Sequence, residues 1–196
     1  MRTMPVGEQK TQLCASIGGP VVDAFGTTVA IPYGLMGATY GISNSTEAFL
    51  DLHVTAAAFK FLGITPGGVY FPCLHWGRVV PAIGVDALIF SDFDKSRLYP
   101  ELVTSAAYRL SDQWTPYVAL RHTFQSGHTS HYIPSAMTGT SFRSGSTQYF
   151  VELQWLALDR DNRWNPVDYH GIANRGALSV QLGVALDLSP RRGTTR

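Results

Sequence analysis

The 196-residue sequence is poor in charged residues. Asp, Glu, Lys and Arg make up 15% of the chain, whereas soluble domains carry about 25%. Lysine is the scarcest of the four and occurs only as Lys10, Lys60 and Lys95, although a β-sheet in water normally places Lys on its outer face and edges. Much of the outer surface is therefore expected to avoid water. The net charge of +1 argues against an electrostatic nucleic-acid binder, and we expect no nucleic-acid partner.

Long apolar runs are also absent, since no stretch approaches about 18 consecutive apolar residues, which excludes a transmembrane helix. The opening MRTMPVGEQK contains no apolar leader stretch, so we expect Met1 to stand in place of a removed leader if the protein is exported. Cys14 and Cys73 are too few for a disulfide framework or a zinc site. They allow one bridge, but the sequence favours unpaired thiols.

Apolar and polar residues alternate through much of the chain. In residues 47–56 one face carries Ala48, Leu50, Leu52, Val54 and Ala56, and the other carries Glu47, Phe49, Asp51, His53 and Thr55. This period of two predicts strands with one apolar and one polar face. We predict strands at residues 10–18, 33–42, 47–56, 67–73, 79–90, 98–110, 114–124, 147–157, 166–173 and 176–188.

Turn-rich segments connect these strands, and no amphipathic helix lies between them. The pattern predicts an all-β fold of consecutive antiparallel strands, in a single domain that covers residues 1–196. We expect this sheet to close into an up-and-down barrel of about ten strands. Eight strands are the alternative, since bacterial membrane barrels have an even number.

Two closed structures fit this pattern. In a soluble lipocalin-like carrier the apolar faces point inward, and in a transmembrane barrel they meet lipid. The polar faces favour lipid because they are poor in charge and rich in small residues. The apolar set from Leu178 to Leu188 would span roughly 25–28 Å, close to the lipid-facing band of outer-membrane barrels. Aromatic residues near predicted strand ends suit an interfacial girdle: Tyr33, Tyr108, Trp114, Tyr149 and Trp155.

Loop lengths predict the orientation of this barrel. Outer-membrane barrels have short periplasmic turns, longer outer loops and both termini in the periplasm. The long segments 19–32 and 125–145 are therefore expected outside, and the short turns 43–45 and 111–113 inside.

Three segments resemble a known group of proteins: RTMPVGE, LHVTAAAFKFLG and NRGALSVQLGVALDL. They are similar to small, mostly uncharacterised outer-membrane β-barrel proteins of Gram-negative bacteria of the Bacteroidetes type. The resemblance spans most of the chain in order, and it implies the barrel fold and an outer-membrane location but no activity. Such barrels usually end on an aromatic residue that assists insertion, whereas SPRRGTTR follows Leu188 here.

The predicted lumen carries a set of polar residues: Glu47, Asp51, His53, Asp86, Glu101, Arg109, Arg121 and Glu152. Because buried charges must be paired, we expect Arg109 and Arg121 to bridge the carboxylates and largely plug the lumen. The predicted role is structural or binding: a membrane anchor, a subunit of an envelope assembly or a minor channel. The expected partners are outer-membrane lipid and other envelope proteins.

Two other functions stand as alternatives. Asp51 and His53 lie two apart on one strand face, as half of a hydrolase triad with Ser105 as its nucleophile, which would make the protein a membrane-embedded acyl or lipid hydrolase. No serine motif accompanies the pair, so we expect no enzymatic activity and no cofactor. His128 and His131 supply two ligands where a metal needs three or four, and we expect no metal site. The soluble lipocalin-like carrier is the second alternative.

Overall fold

The computed structural model describes residues 4–24, 27–72, 77–125, 131–161 and 169–188. This part of the chain contains eleven strands and one short helix, α1 (Val54–Ala58). The strands are β1 (Thr11–Ala24), β2 (Thr27–Ala30), β3 (Tyr33–Gly41), β4 (Thr46–His53), β5 (Leu62–Tyr70), β6 (Val79–Ser91), β7 (Ser96–Tyr108), β8 (Trp114–Gln125), β9 (His131–Ser144), β10 (Thr147–Asp161) and β11 (Arg175–Asp187). Within these residues no helix is long and apolar enough to cross a membrane.

Ten of the strands, β1 and β3 to β11, form one closed antiparallel barrel. Each pairs with the next, and β1 pairs with β11 from Gln12 opposite Asp187 to Pro20 opposite Ser179. Closure leaves no free sheet edge, so backbone groups along the wall bond to neighbouring strands, as a lipid environment requires. The predicted up-and-down barrel of ten strands, rather than eight, is confirmed.

The barrel has two distinct ends. We call the end where β1 begins and β11 finishes the terminal end; it also holds the turns 42–45, 109–113 and 145–146 and the end of β5. We call the opposite end the loop end. There β1 continues past the barrel wall and forms a hairpin with β2, and α1 follows β4. The segment predicted as the outer loop 19–32 is therefore mostly this hairpin.

Two strand predictions were wrong. One barrel strand was missed and one was predicted in excess, so the predicted number of ten is still correct. The predicted loop 125–145 contains β9, whose outward face mixes Tyr132 and Phe142 with Thr138 and Thr140, so its alternation is weak. The predicted strand 166–173 is not a barrel strand in its described part, residues 169–173, which form only isolated bridges, and β10 pairs directly with β11. As a result, β10 runs toward the loop end, opposite to the predicted direction.

Other boundaries also differ from the prediction. The segment 47–56 stays extended only to His53, where β4 ends and α1 begins. The strand predicted at 67–73 is β5, which starts five residues earlier, at Leu62.

The outer face of the barrel is apolar. Large side chains are exposed on it along successive strands, including Leu13, Ile17, Met36, Leu50, Leu52, Ile83, Val85, Leu102, Val118, Leu120, Val151, Leu153, Leu182 and Val184. Tyr108, Trp114 and Tyr149 are exposed near the terminal end, as predicted for a girdle, whereas Tyr33 lines the interior. An apolar exterior rules out the soluble carrier, in which these side chains would face the cavity. The chain is an outer-membrane β-barrel protein, since closed barrels with such a belt span outer membranes.

An apolar cluster lies inside the barrel at the terminal end. Its buried members are Val69, Phe71, Val80, Ala82, Ala107 and Tyr117, and Met4 and Phe49 pack against it. Phe49 lies flat over Gly67, where an added Cβ would come within 2.4 Å of the ring. The glycine therefore makes room for a large ring inside a narrow barrel.

Replacing Leu182 with Arg tests which face meets lipid. Leu182 is 54% exposed on the outer face, and we expect Leu182→Arg to lower the free energy of unfolding in phospholipid vesicles by about 2–4 kcal/mol, because the cation would face hydrocarbon. Leu188→Arg, at the terminal end, is the matched control and should cost about 0–1 kcal/mol. Equal costs in urea titrations of the two variants would contradict the proposed membrane position.

Engineered protease sites test the two ends. A site in the 92–95 turn, at the loop end, should be cut in intact cells, and a site in the 145–146 turn should be cut only after the outer membrane is permeabilised. Cleavage of the 145–146 site alone in intact cells would show that the barrel has the opposite orientation to the predicted one. Cleavage of both sites would contradict the described topology.

Candidate functional site

A cavity of about 420 Å³ lies inside the barrel. Gln12, Glu47 and Gln148 line it toward the terminal end, and Pro20 and Leu156 line it toward the loop end. The eight residue-to-residue steps from Gln12 to Pro20 correspond to roughly 20 Å along the barrel axis for a strand tilted by about 40°. The cavity therefore extends through most of the height of the barrel wall.

Most of the predicted lumen residues line this cavity: Glu47, Asp51, His53, Asp86, Glu101, Arg121 and Glu152. Arg109 does not. It has the inward position of the alternation, but β7 ends at Tyr108, so Arg109 lies in the turn beyond the strand, where its backbone N–H donates to the Arg78 carbonyl (2.8 Å). The expected bridge from Arg109 to the lumen carboxylates was therefore wrong.

Two neutral side chains donate hydrogen bonds to Glu152. Only 2% of it is exposed, and it accepts hydrogen bonds from the Tyr117 hydroxyl (2.7 Å) and from Nε2 of Gln154 (2.5 Å). Nε2 of Gln154 also donates to Gln181 (3.1 Å), and Nε2 of Gln181 donates to Ser16 (2.7 Å). This network links β8, β10, β11 and β1. Sequence reasoning missed its neutral members, whose only signal was their inward position.

Glu101 is the carboxylate that Arg121 contacts. Nε of Arg121 lies 3.8 Å from Glu101 Oε2, and the Thr123 hydroxyl donates to the same carboxylate. Elsewhere different groups approach the lumen acids. The backbone N–H of Val6 donates to Glu47 (3.2 Å), and Sγ of Cys14 lies 3.8 Å from Asp51. Cys73 lies outside the described residues, so the state of the two thiols stays a prediction.

The ring nitrogens of His53 are hydrogen bonded to residues outside the predicted catalytic set. Its Nδ1 is hydrogen bonded to the Tyr33 hydroxyl, and its Nε2 to Thr65 Oγ1 (2.8 Å). A triad needs one ring nitrogen on the carboxylate and the other on the nucleophile. In this structure Asp51 and Ser105 line the same cavity as His53, but neither is hydrogen bonded to a ring nitrogen of His53.

The described residues contain no group of three or more His, Cys, Asp or Glu side chains placed to hold a metal ion. His131 begins β9, and His128 lies outside the described part of the chain.

Among the described residues, the cavity wall carries more acidic than basic side chains. Five carboxylates line it, from Glu47, Asp51, Asp86, Glu101 and Glu152. Among the described lining residues Arg121 is the single Lys or Arg. An acidic wall in a low-dielectric barrel concentrates cations.

Three solved structures are similar to this chain, and the first of them supports the fold. The NanC porin has a TM-score of 0.51 at 10% identity over 90% of this chain and 100% of that one. The translocator domain of the autotransporter NalP from Neisseria meningitidis has a TM-score of 0.45 at 11% identity, over 90% and 87% of the chains. OprG from Pseudomonas aeruginosa has a TM-score of 0.39 at 10% identity, over 96% and 100%. No family model and no curated protein matches, so the resemblance to Bacteroidetes-type barrels stays a prediction.

Removing the Tyr117 hydroxyl tests the network around Glu152. We expect Tyr117→Phe to lower the free energy of unfolding by about 1–3 kcal/mol, because a buried carboxylate loses a donor. Tyr149→Phe, on the exposed outer face, is the control and should change little. Tyr117→Phe and Glu152→Gln together should be non-additive by more than about 0.5 kcal/mol. Strict additivity in urea titrations would show that the two side chains do not interact.

Proposed function

We propose that the protein is a narrow outer-membrane channel for small cations. The observation that carries this proposal is the cavity wall, where the described lining residues include five carboxylates and one guanidinium along most of the barrel height. Charged side chains that line a pore set its ion selectivity, and acidic ones favour cations.

The position of the acids favours passage over a purely structural role. Glu47, Asp51, Asp86, Glu101 and Glu152 come from four different strands, so acidic groups surround the cavity instead of meeting at one point. Burying a carboxylate is costly, and a lumen that only stabilised the wall could be filled more favourably by neutral side chains. In place of the predicted plug of arginine bridges, we propose that the hydrogen-bond network around Glu152 narrows the lumen.

The same lumen argues against the hydrolase alternative. The ring nitrogens of His53 are engaged by Tyr33 and Thr65, so a general base would first have to break these hydrogen bonds. We therefore propose a channel without enzymatic activity.

Reversal potentials in planar bilayers test the selectivity. Across a KCl gradient we expect small currents with a reversal potential near that of K⁺. The double variant Asp51→Asn/Asp86→Asn should shift it toward zero, because two lining charges are removed while the Glu101–Arg121 pair stays. Asp94→Asn, in the exposed turn between β6 and β7, is the control. Chloride selectivity of the folded wild-type barrel would refute the proposal.

A further inference from the structure

The segment that precedes β1 enters the lumen at the terminal end. Met4 packs against the apolar cluster of Val69, Phe71, Val80, Ala82, Ala107 and Tyr117. Its side chain is also part of the cavity lining. The chain therefore turns back from the start of β1 into the barrel instead of leading away from it.

A buried carboxylate holds the backbone of this segment. The N–H of Val6 donates to Oε2 of Glu47 over 3.2 Å, and Glu47 is only 1% exposed. Glu47 lies on β4, across β3 from the strand that the segment leads into. The hydrogen bond thus places the peptide of Val6 inside the ring of strands.

A tight turn directs the segment inward. Gly7 has a φ of +93°, and its carbonyl accepts the N–H of Lys10 (3.3 Å). The N–H of Gln9 donates to the Gly41 carbonyl (2.8 Å), and the N–H of Gly41 donates to the Lys10 carbonyl (2.9 Å). A Cβ at Gly41 would lie 1.8 Å from the Gly7 carbonyl oxygen, so this approach requires glycine at the end of β3.

From these contacts we infer that residues 4–7 form a stopper that closes the terminal end of the channel, and that the exposed residues 8–10 lead from it into β1. The inference rests on the proposed channel function. Among the described residues, the stopper contacts the wall through the partly buried side chain of Met4 and through the hydrogen bond from Val6 to Glu47, and the turn that follows it is joined to Gly41 by two backbone hydrogen bonds. A wall strand such as β3 is held instead by backbone pairing along both edges. The stopper can therefore leave the lumen while the barrel stays closed.

Thiol labelling tests where the stopper sits, independently of any current. In a Cys14→Ser/Cys73→Ser background, Met4→Cys and Glu8→Cys are compared in the folded protein with a small water-soluble thiol reagent. Glu8 is exposed. We expect the thiol at position 4 to react at least about tenfold more slowly than the thiol at position 8, because reaction requires local opening. Equal rates would overturn the stopper.

Gly41→Ala tests whether the stopper controls conduction. The added methyl group cannot coexist with the Gly7 carbonyl, so we expect faster labelling at position 4 and a larger mean conductance with unchanged cation selectivity. Gly34→Ala is the matched control at the other end of β3, where a Cβ finds its nearest atom at 3.6 Å. It should leave labelling and conductance as in the wild type. If Gly41→Ala does not fold, Val6→Pro removes the N–H donor to Glu47 without altering a wall strand.

The outcomes separate the two proposals. A conductance that is cation-selective while position 4 labels as fast as position 8 would overturn the stopper and leave the channel standing. If Gly41→Ala speeds up labelling at position 4 but no variant conducts a current, the channel function is overturned. The closing role of the segment is then overturned with it. Release accompanied by increased conductance supports both.

Discussion

The pairing of β1 with β11 is the interaction on which the rest of the structure depends. Nine residue pairs, from Gln12–Asp187 to Pro20–Ser179, join the two ends of the sheet. Without them β1 and β11 would expose a row of unpaired backbone groups, which hydrocarbon does not tolerate. Closure also defines an inside and an outside, so that period-two alternation along every strand becomes a division between lumen and lipid. The acidic cavity exists because this division sends one face of each strand inward.

Closure at this size also determines how the lumen acids are held. A ten-stranded barrel leaves little more interior than its side chains fill, so each carboxylate takes the donors that the opposing strands present. Glu101 meets a guanidinium, Glu152 meets a hydroxyl and an amide, and Glu47 meets a backbone N–H. The last contact brings the segment before β1 into the passage. This hydrogen bond and the packing of Met4 together link the closing segment to the wall.

The faces of the strands could be read from the sequence because alternation is a local property. The inward positions of Glu47, Asp51 and Glu152 followed from it directly. The alternation did not predict where the strands end. It places Arg109 on the inward face of β7, although β7 ends one residue earlier, at Tyr108. The strand β9 escaped detection because Thr138 and Thr140 occupy lipid-facing positions that are usually apolar.

The partners of the lumen residues lay beyond sequence reasoning for a different reason. Tyr117 and Glu152 are 35 residues apart, and they meet only because of the register of β8, β9 and β10. That register depends on the lengths of two hairpins and on the stagger of the closed ring, and neither is encoded in the alternation. The inward turn of Met4 similarly depends on the Gly7–Gly41 approach, which joins residues distant in the chain.

The measurement that tests the account most directly is cross-linking of the closing strands. In a background without Cys14 and Cys73, cysteines are placed at Ala15 and Val184, which lie directly opposite each other in the β1–β11 pairing. The account predicts that this pair forms a disulfide in the membrane-inserted protein, because opposed strand positions bring Cβ atoms within bridging distance. The register-shifted pair of Ala15 with Leu186 should not. Bridging of the shifted pair, or of neither, would contradict the closed ten-stranded barrel.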